Sequence, residues 1–372
     1  MNKKGLSLVE LIVVMAIFVI VIGIPYKLFI QQLKTTVREV GLSQSSIEQL
    51  PALEIMRKDI EMAGFGLPWN IGSFTYNEAK SSVPDLYSFD KDIFNDSTNN
   101  PPRAMIVKTD TTKNKFSYLV LKATIFGLNK AAYHWTYIDK NNRLNIWPAG
   151  SSANYNNIAT GDRVIVMEAG KNRKLVGDSL YYQITKNAAT DDTNPSDYGL
   201  PGSLPSGVYL VYGIGRGQII APFNRIDYYL YKSSNSGDRC ASGTYTLGRS
   251  ILRQSDGSIT PYPILNCVAD FQVVFGLDTN GDGIIDKWTQ DTTTMLPAAE
   301  DVREQLKQVR VYLLVQNGVR DINYNYPYTR VSVGENLMGK FYGRVFDLTK
   351  INDFRHYRWK VIKLVITPKN LE

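Results

Sequence analysis

Apolar residues follow three rhythms along the chain. From Leu6 to Ile24 they are nearly continuous: apart from Ser7 and Glu10, "LSLVELIVVMAIFVIVIGI" is wholly apolar or glycine, long enough to cross ~30 Å of hydrocarbon as a helix. After that the rhythm is helical. Tyr26, Leu33, Val40 and Ile47 recur every seven residues, with Ile30 and Val37 in the interleaved row until Gln44 breaks it, which predicts one apolar stripe on a long helix. Pro51 lacks an N–H and clashes with the preceding turn, so a bend or restart is expected there. Leu53, Met56, Ile60 and Ala63 then continue a stripe that Gly64, Gly66 and Pro68 end.

Beyond residue 67 the rhythm becomes that of strands. "AMIVKT", "FSYLVLKATIFG", "DRVIVMEA", "GVYLVYGI", "RIDYYLYK", "QVRVYLLVQ", "GRVFDL" and "RWKVIKLVITP" are rich in β-branched and aromatic residues and bounded by Gly, Asn, Asp or Pro. A short helix is expected at Ala298 to Gln308, and the polar stretches 78–102 and 186–207 read as surface loops. The fold class is therefore α+β. A long N-terminal helix, transmembrane over 6–25 and amphipathic over 26–66, packs on an antiparallel β-sheet head of residues 67–372, with an inserted β-rich region at about 78–220. Three hundred residues are ample for a core.

Charge orients this plan. Lys3 and Lys4 precede the apolar run and only Lys27 follows closely, so the N-terminus is expected in the cytoplasm and the head outside it. No small-residue cleavage site follows Gly23 and Pro25, which argues against a removed secretory signal. Glu10 is the one acid inside the run, and a carboxylate there costs roughly 2.5 to 3.5 kcal/mol. It either meets a partner, such as a free N-terminal amine, or snorkels to the interface.

These residues carry a resemblance. "KKGLSLVELIVVMAIFVIVIG" resembles the N-terminus of type IV prepilins: a basic leader ending in glycine, an apolar helix, and a glutamate five residues after that glycine, with Leu6 where phenylalanine is commonest. The resemblance implies that a prepilin peptidase removes residues 1–5 by cutting between Gly5 and Leu6. It implies methylation of Leu6, and it makes Glu10 the residue that registers the subunit during assembly. "MRKDIEMAGFG", Met56 to Gly66, resembles a stretch of PilW-type minor pilins, with Glu61 where arginine is frequent. The order of Cys240, a hairpin, Cys267 and "FQVVFGLDTNGDGIIDKW" is similar to that family too.

The chain is accordingly identified as a large minor pilin of the PilW family. The implied role is to help initiate pilus assembly at or near the tip, moving from the bacterial inner membrane to the cell surface. The implied partners are other major and minor pilins, the prepilin peptidase, the inner-membrane assembly platform and the membrane itself. The rivals are a minor pseudopilin of type II secretion and a membrane-anchored adhesin or DNA-binding protein that does not polymerise.

The candidate chemistry adds two sites. In "DTNGDGIID", oxygen ligands at Asp278, Asn280 and Asp282, Gly283 at the sixth position, the Ile284 carbonyl and Asp286 match the first part of a calcium loop. Thr289 replaces the closing glutamate and a strand precedes the loop, so the pattern is not an EF-hand. Structural Ca²⁺ is expected there, against the alternative of a tight hairpin with solvated carboxylates. Cys240 and Cys267 are the only cysteines. Outside the cytoplasm they are expected to form one disulfide, the alternative being two buried thiols.

Catalysis is not expected. The two histidines, His134 and His356, sit among aromatic residues, and no hydrolase or metalloprotease spacing stands in a supporting context. The net charge is +7, of which Lys3 and Lys4 carry two, while the ten charges from Lys27 to Glu61 cancel. Most of the basic excess therefore lies on the head. Its densest strip, "FRHYRWKVIK" from Phe354 to Lys363, has the residue types that track phosphates and stack bases; a solvated strand is the preferred reading.

Overall fold

The computed structural model describes residues 8–80, 83–96, 98–189, 193–233 and 239–371. One helix, α1, runs without interruption from Leu8 to Met62 and contains both Pro25 and Pro51. The expected restart at Pro51 does not occur. Gln49 and Ala52 on either side of it are buried against the head, so packing holds the helix across the one hydrogen bond that proline removes. Ala52, Met56 and Ile60 form its buried face, which Ala63 continues just past its end.

Fourteen strands follow among the described residues: β1 (Met105–Thr109), β2 (Ser117–Lys122), β3 (Trp135–Ile138), β4 (Asp162–Glu168), β5 (Tyr182–Gln183), β6 (Tyr209–Arg216), β7 (Arg225–Tyr231), β8 (Tyr245–Leu252), β9 (Ile259–Leu277), β10 (Lys287–Thr289), β11 (Leu306–Asn317), β12 (Arg330–Leu337), β13 (Lys340–Asp347) and β14 (Arg358–Ile366). The main sheet is antiparallel, in the order β1-β2-β7-β8-β9-β11-β14, with β10 paired to the end of β9. The chain leaves it after β2 and returns at β7; between them β3, β6, β4 and β5 make a separate four-stranded sheet. A second short helix, α2 (Ala299–Gln305), precedes β11. It is shorter than expected because Leu306 and the residues after it pair with β9.

Alternation along the central strands gives the main sheet two buried faces. Val309, Val311, Leu313 and Val315 of β11 join Phe271, Val273 and Phe275 of β9 beneath α1. Tyr312 and Leu314 point the other way, into a second core with Val333 and Phe346 of the β12–β13 hairpin and Trp359 of β14. Period-two burial on both faces makes three layers, helix, sheet and hairpin.

The stretch 78–102 is not the surface loop its composition suggests. Tyr87 and Phe94 are in the main core, and Glu78 and Asp96 enter a buried charge cluster. Lys122 Nζ lies 2.6 Å from both Glu78 Oε1 and Asp96 Oδ2, and Arg103 Nε lies 2.5 Å from Asp96 Oδ1. Arg225 closes the cluster on Asp227 at 2.6 Å and donates to Asn95 Oδ1 at 2.8 Å. Three cations meet three carboxylates, so no buried charge is left alone. Burial pushes Glu78 up, whereas for Asp96 burial is outweighed by Lys122 and Arg103, which hold it down. Polar composition misleads here because the charges face inward in pairs.

The candidate assembly face and the helix to head junction

The side chains of α1 change character along its length. Leu8, Phe18 and Val19 are 77, 60 and 72% exposed, and the stripe residues Tyr26, Leu33, Val40 and Ile47 are exposed too. Contact with the head starts near Gly41, where an added Cβ would stand 3.5 Å from Val319 Cγ2. Leu8 to Val40 is thus an arm of about 50 Å at 1.5 Å per residue. Water-facing apolar area of that extent marks an interaction surface. Among the described residues no helix is long and apolar enough to cross a membrane. Glu10 stands exposed in the first turn, where a carboxylate suits the positive end of the helix dipole. Gly5 and Leu6 lie outside the described residues.

The segment Met56–Gly66 is the joint between arm and head, and each residue type has a reason. Met56, Ile60 and Ala63 are fully buried. Asp59 accepts from Arg249 Nε at 2.6 Å and Nη2 at 3.2 Å, and from the Tyr228 hydroxyl at 2.5 Å. Burial alone would lower Arg249, but its hydrogen bond to Asp59 raises it; burial and the Asp59 charge push Tyr228 up. The carboxylate of Asp59 thereby fixes the helix to β7 and β8.

Glu61 pairs with Lys369 at 2.6 Å, and its carbonyl accepts from Lys369 N at 3.0 Å and Asn370 Nδ2 at 3.1 Å. The residues after β14 thus satisfy an orphan carbonyl of the helix end. Gly64 and Gly66 have φ of +88° and +67°, and a Cβ on Gly66 would meet Thr124 Oγ1 at 2.3 Å. Only glycine fits that crossing. Phe65 then packs edge-on against Tyr212 of β6 at 5.3 Å, which brings the smaller sheet to the joint.

The loop from Asp278 to Asp286 joins β9 to β10. Asp278 accepts from Gly281 N at 2.7 Å and Gly283 N at 2.8 Å, Asp282 from Ile284 N at 2.8 Å, and Asp286 from Thr279 N at 3.1 Å. Those bonds to Thr279 lower Asp286. Asn280 Nδ2 donates to Asp282. The carboxylates are thus turned onto the loop's own donors, and among the described residues no three acidic, histidine or cysteine side chains are placed to hold a metal ion.

Cys240 and Cys267 form a disulfide, which ties the chain between β7 and β8 to β9. His134 Nδ1 lies 2.6 Å from the buried Asp162, which Arg216 also holds at 2.7 Å, while His356 Nδ1 meets the Tyr324 carbonyl. In the basic strip, Tyr357 and Trp359 belong to the second core, Arg358 pairs with Asp321 at 2.9 Å and Lys363 with Glu335 at 2.8 Å. Its buried rings are not available to stack on bases. The Asp59 partners Arg249 and Tyr228 escaped the sequence reading, since β8 and β7 lie far from α1 along the chain.

Residues 227–370 match the family described as Type IV Pilus-assembly protein W, and residues 1–24 match the Prokaryotic N-terminal methylation motif. The chain is a PilW-like type IV prepilin. The longer match begins in β7 and ends in the residues that cap α1, so it covers the main sheet apart from β1 and β2. Both families are structural components of pili, and this prepilin is not an enzyme. Its setting is the assembly of a pilus, with other pilins and the assembly machinery as partners, at the membrane or cell surface. No curated protein and no solved structure matches the chain.

Proposed function

We propose that this prepilin is a minor pilin that helps initiate pilus assembly and lies at or near the tip. The observation that carries this reading is the exposed apolar arm of α1, with Glu10 in its first turn, on a head whose own cores are closed. Before assembly, residues 6–25 cross the inner membrane with the N-terminus in the cytoplasm; afterwards neighbouring helices replace lipid. Each large side chain buried against a neighbour rather than facing water is worth about 1.5–3 kcal/mol. Cleavage between Gly5 and Leu6 supplies the amine that Glu10 meets on a neighbouring subunit, and in low dielectric that pairing offsets the cost of placing a carboxylate in the bundle. The four-stranded sheet lies outside the matched family region and is read as an inserted subdomain that adds exposed surface.

Replacing Glu10 with Leu tests the reading. Membrane insertion should persist and co-assembly should be lost, scored by the protein in sheared surface filaments against the membrane fraction. Undiminished entry into filaments would sink the role given to Glu10. The same helix would serve a pseudopilin, so the scoring is done in strains lacking either the pilus or the type II secretion platform. Dependence on the secretion platform alone would favour that alternative. Calcium at residues 278–286 stands as a separate proposal, supported by the sequence pattern and not by the arrangement of the side chains.

A further inference from the structure

On the face of the main sheet covered by the β12–β13 hairpin, a cavity of about 540 Å³ opens between the β1–β2 turn, β10 and β13. That volume lies within the range of small-ligand sites, about 300–1,000 Å³. Three lysines line it, Lys115, Lys287 and Lys340, all exposed, and among the described residues none has a carboxylate partner. Lys340 lies over the ring of Tyr342 at 5.3 Å, with Phe341 beside it in the wall. The acids of the same wall are engaged: Asp291 with Lys108 at 2.7 Å, and Asp110 with the backbone N–H groups of Thr112, Lys113 and Asn114. Lys115 has a left-handed backbone, φ +59°, and its carbonyl accepts from Gln272 Nε2 at 2.7 Å. The rim therefore carries three lysines without carboxylate partners among the described residues.

Its place in the head is also defined. Ile366 pairs with Val309 and Val309 with Phe275, beside β10, while the residues just past Ile366 cap the last turn of α1. The Thr289 side of the cavity is thus level with the C-terminal end of α1, and its Gln272 side lies farther down the sheet, opposite Tyr312.

We infer that this cavity binds an acidic saccharide, a sugar chain bearing carboxylates. Flat half-buried rings suit the apolar faces of sugar rings, and the lysines suit their carboxylates. A concave pocket of this size, rather than an extended groove, disfavours a nucleic-acid strand, which is tracked over several nucleotides. The site stands on its own geometry and does not depend on polymerisation.

The test is calorimetric titration of the full-length protein in detergent with oligogalacturonate, a neutral malto-oligosaccharide, inorganic phosphate and an oligothymidylate. Oligogalacturonate alone should bind. Lys287→Glu and Lys340→Glu should each weaken it about tenfold, since each reversal moves two charges relative to the bound carboxylates. Tyr342→Ala should weaken it as well, and Lys140→Glu, an exposed lysine of the smaller sheet region, should leave it unchanged. Absence of binding, equal binding by the Lys287 and Lys340 variants, or equal binding of the neutral sugar, phosphate or oligothymidylate would overturn the assignment.

Discussion

Substituting Asp59 by Ala removes the one carboxylate that meets both Arg249 and the Tyr228 hydroxyl. Removing one partner of a buried pair costs about 3–5 kcal/mol. Here the Arg249 side chain keeps 21% of its exposure and Asp59 12%, so water takes over part of the guanidinium, and better helix propensity returns about half a kcal/mol. Against that, the Tyr228 hydroxyl is left buried without its acceptor, a loss of about 1–3 kcal/mol. The net expectation is about 3 kcal/mol, or a fall in Tm of about 4–5 °C for a head of about 300 residues. Thermal unfolding of full-length protein in detergent, followed by near-ultraviolet circular dichroism, measures it. A triple variant, Asp59→Leu, Arg249→Met and Tyr228→Phe, leaves no polar atom orphaned and should recover most of the loss. A single variant within 1 kcal/mol of the parent, or a triple variant worse than the single one, would refute the reasoning that this pair fastens arm to head.

Other expectations follow from the same structure. Hydrogen bonds from Lys363, Tyr312 and Arg310 hold Glu335 down to about 2. A lowered folded value gives stability that is present above the unfolded value near 4.5 and is lost as pH falls toward 2. Glu335→Gln should therefore cost about 1 kcal/mol at neutral pH, allowing for solvent screening, and nothing near pH 2, as read by denaturant titration at both. Reducing the Cys240–Cys267 bridge should cost about 3.5 kcal/mol on the loop-entropy model; no change in the urea midpoint with reductant would contradict this. Gly66→Ala, with a left-handed backbone and Thr124 in the way, should lower stability by about 2 kcal/mol or more, whereas Gly72→Ala, which meets no neighbour, should carry the backbone cost alone. At the Asp278 loop, a rise in Tm with calcium at about 1 mM, the range of extracellular modules, that Asp282→Ala abolishes would support the calcium proposal; an unchanged Tm would end it.

The arm and its end were legible because they rest on local signals: continuous apolar residues, a seven-residue stripe, and glycines that terminate it. The eight strands read from Val, Ile, Tyr and Phe runs correspond to β1, β2, β4, β6, β7, β11, β13 and β14. The strands that escaped break local rules for tertiary reasons. The second half of β9 is the strand read before the Asp278 loop, but its first half carries Pro261 and Pro263, and before Val268 it has β8 on one side only, an edge where proline is tolerated. β12 is polar with a glycine, and is held by its register with β13 and by Glu335 reaching Arg310. β8 shows little alternation, its Arg249 being fixed by an acid 190 residues away. The charge cluster on Lys122 hid in the same way, because pairing across the fold leaves no trace in composition. The basic strip near the C-terminus, read as a solvated strand, differs in one respect: Tyr357 and Trp359 are turned inward into the second core.

The most direct test of the account is the N-terminal residue and intact mass of the protein recovered from its native membrane or surface fraction. The account predicts a chain that begins at a methylated Leu6, with Glu10 fifth from the new amine. A chain that begins at Met1 would contradict it, leaving an anchored protein that is never processed for assembly.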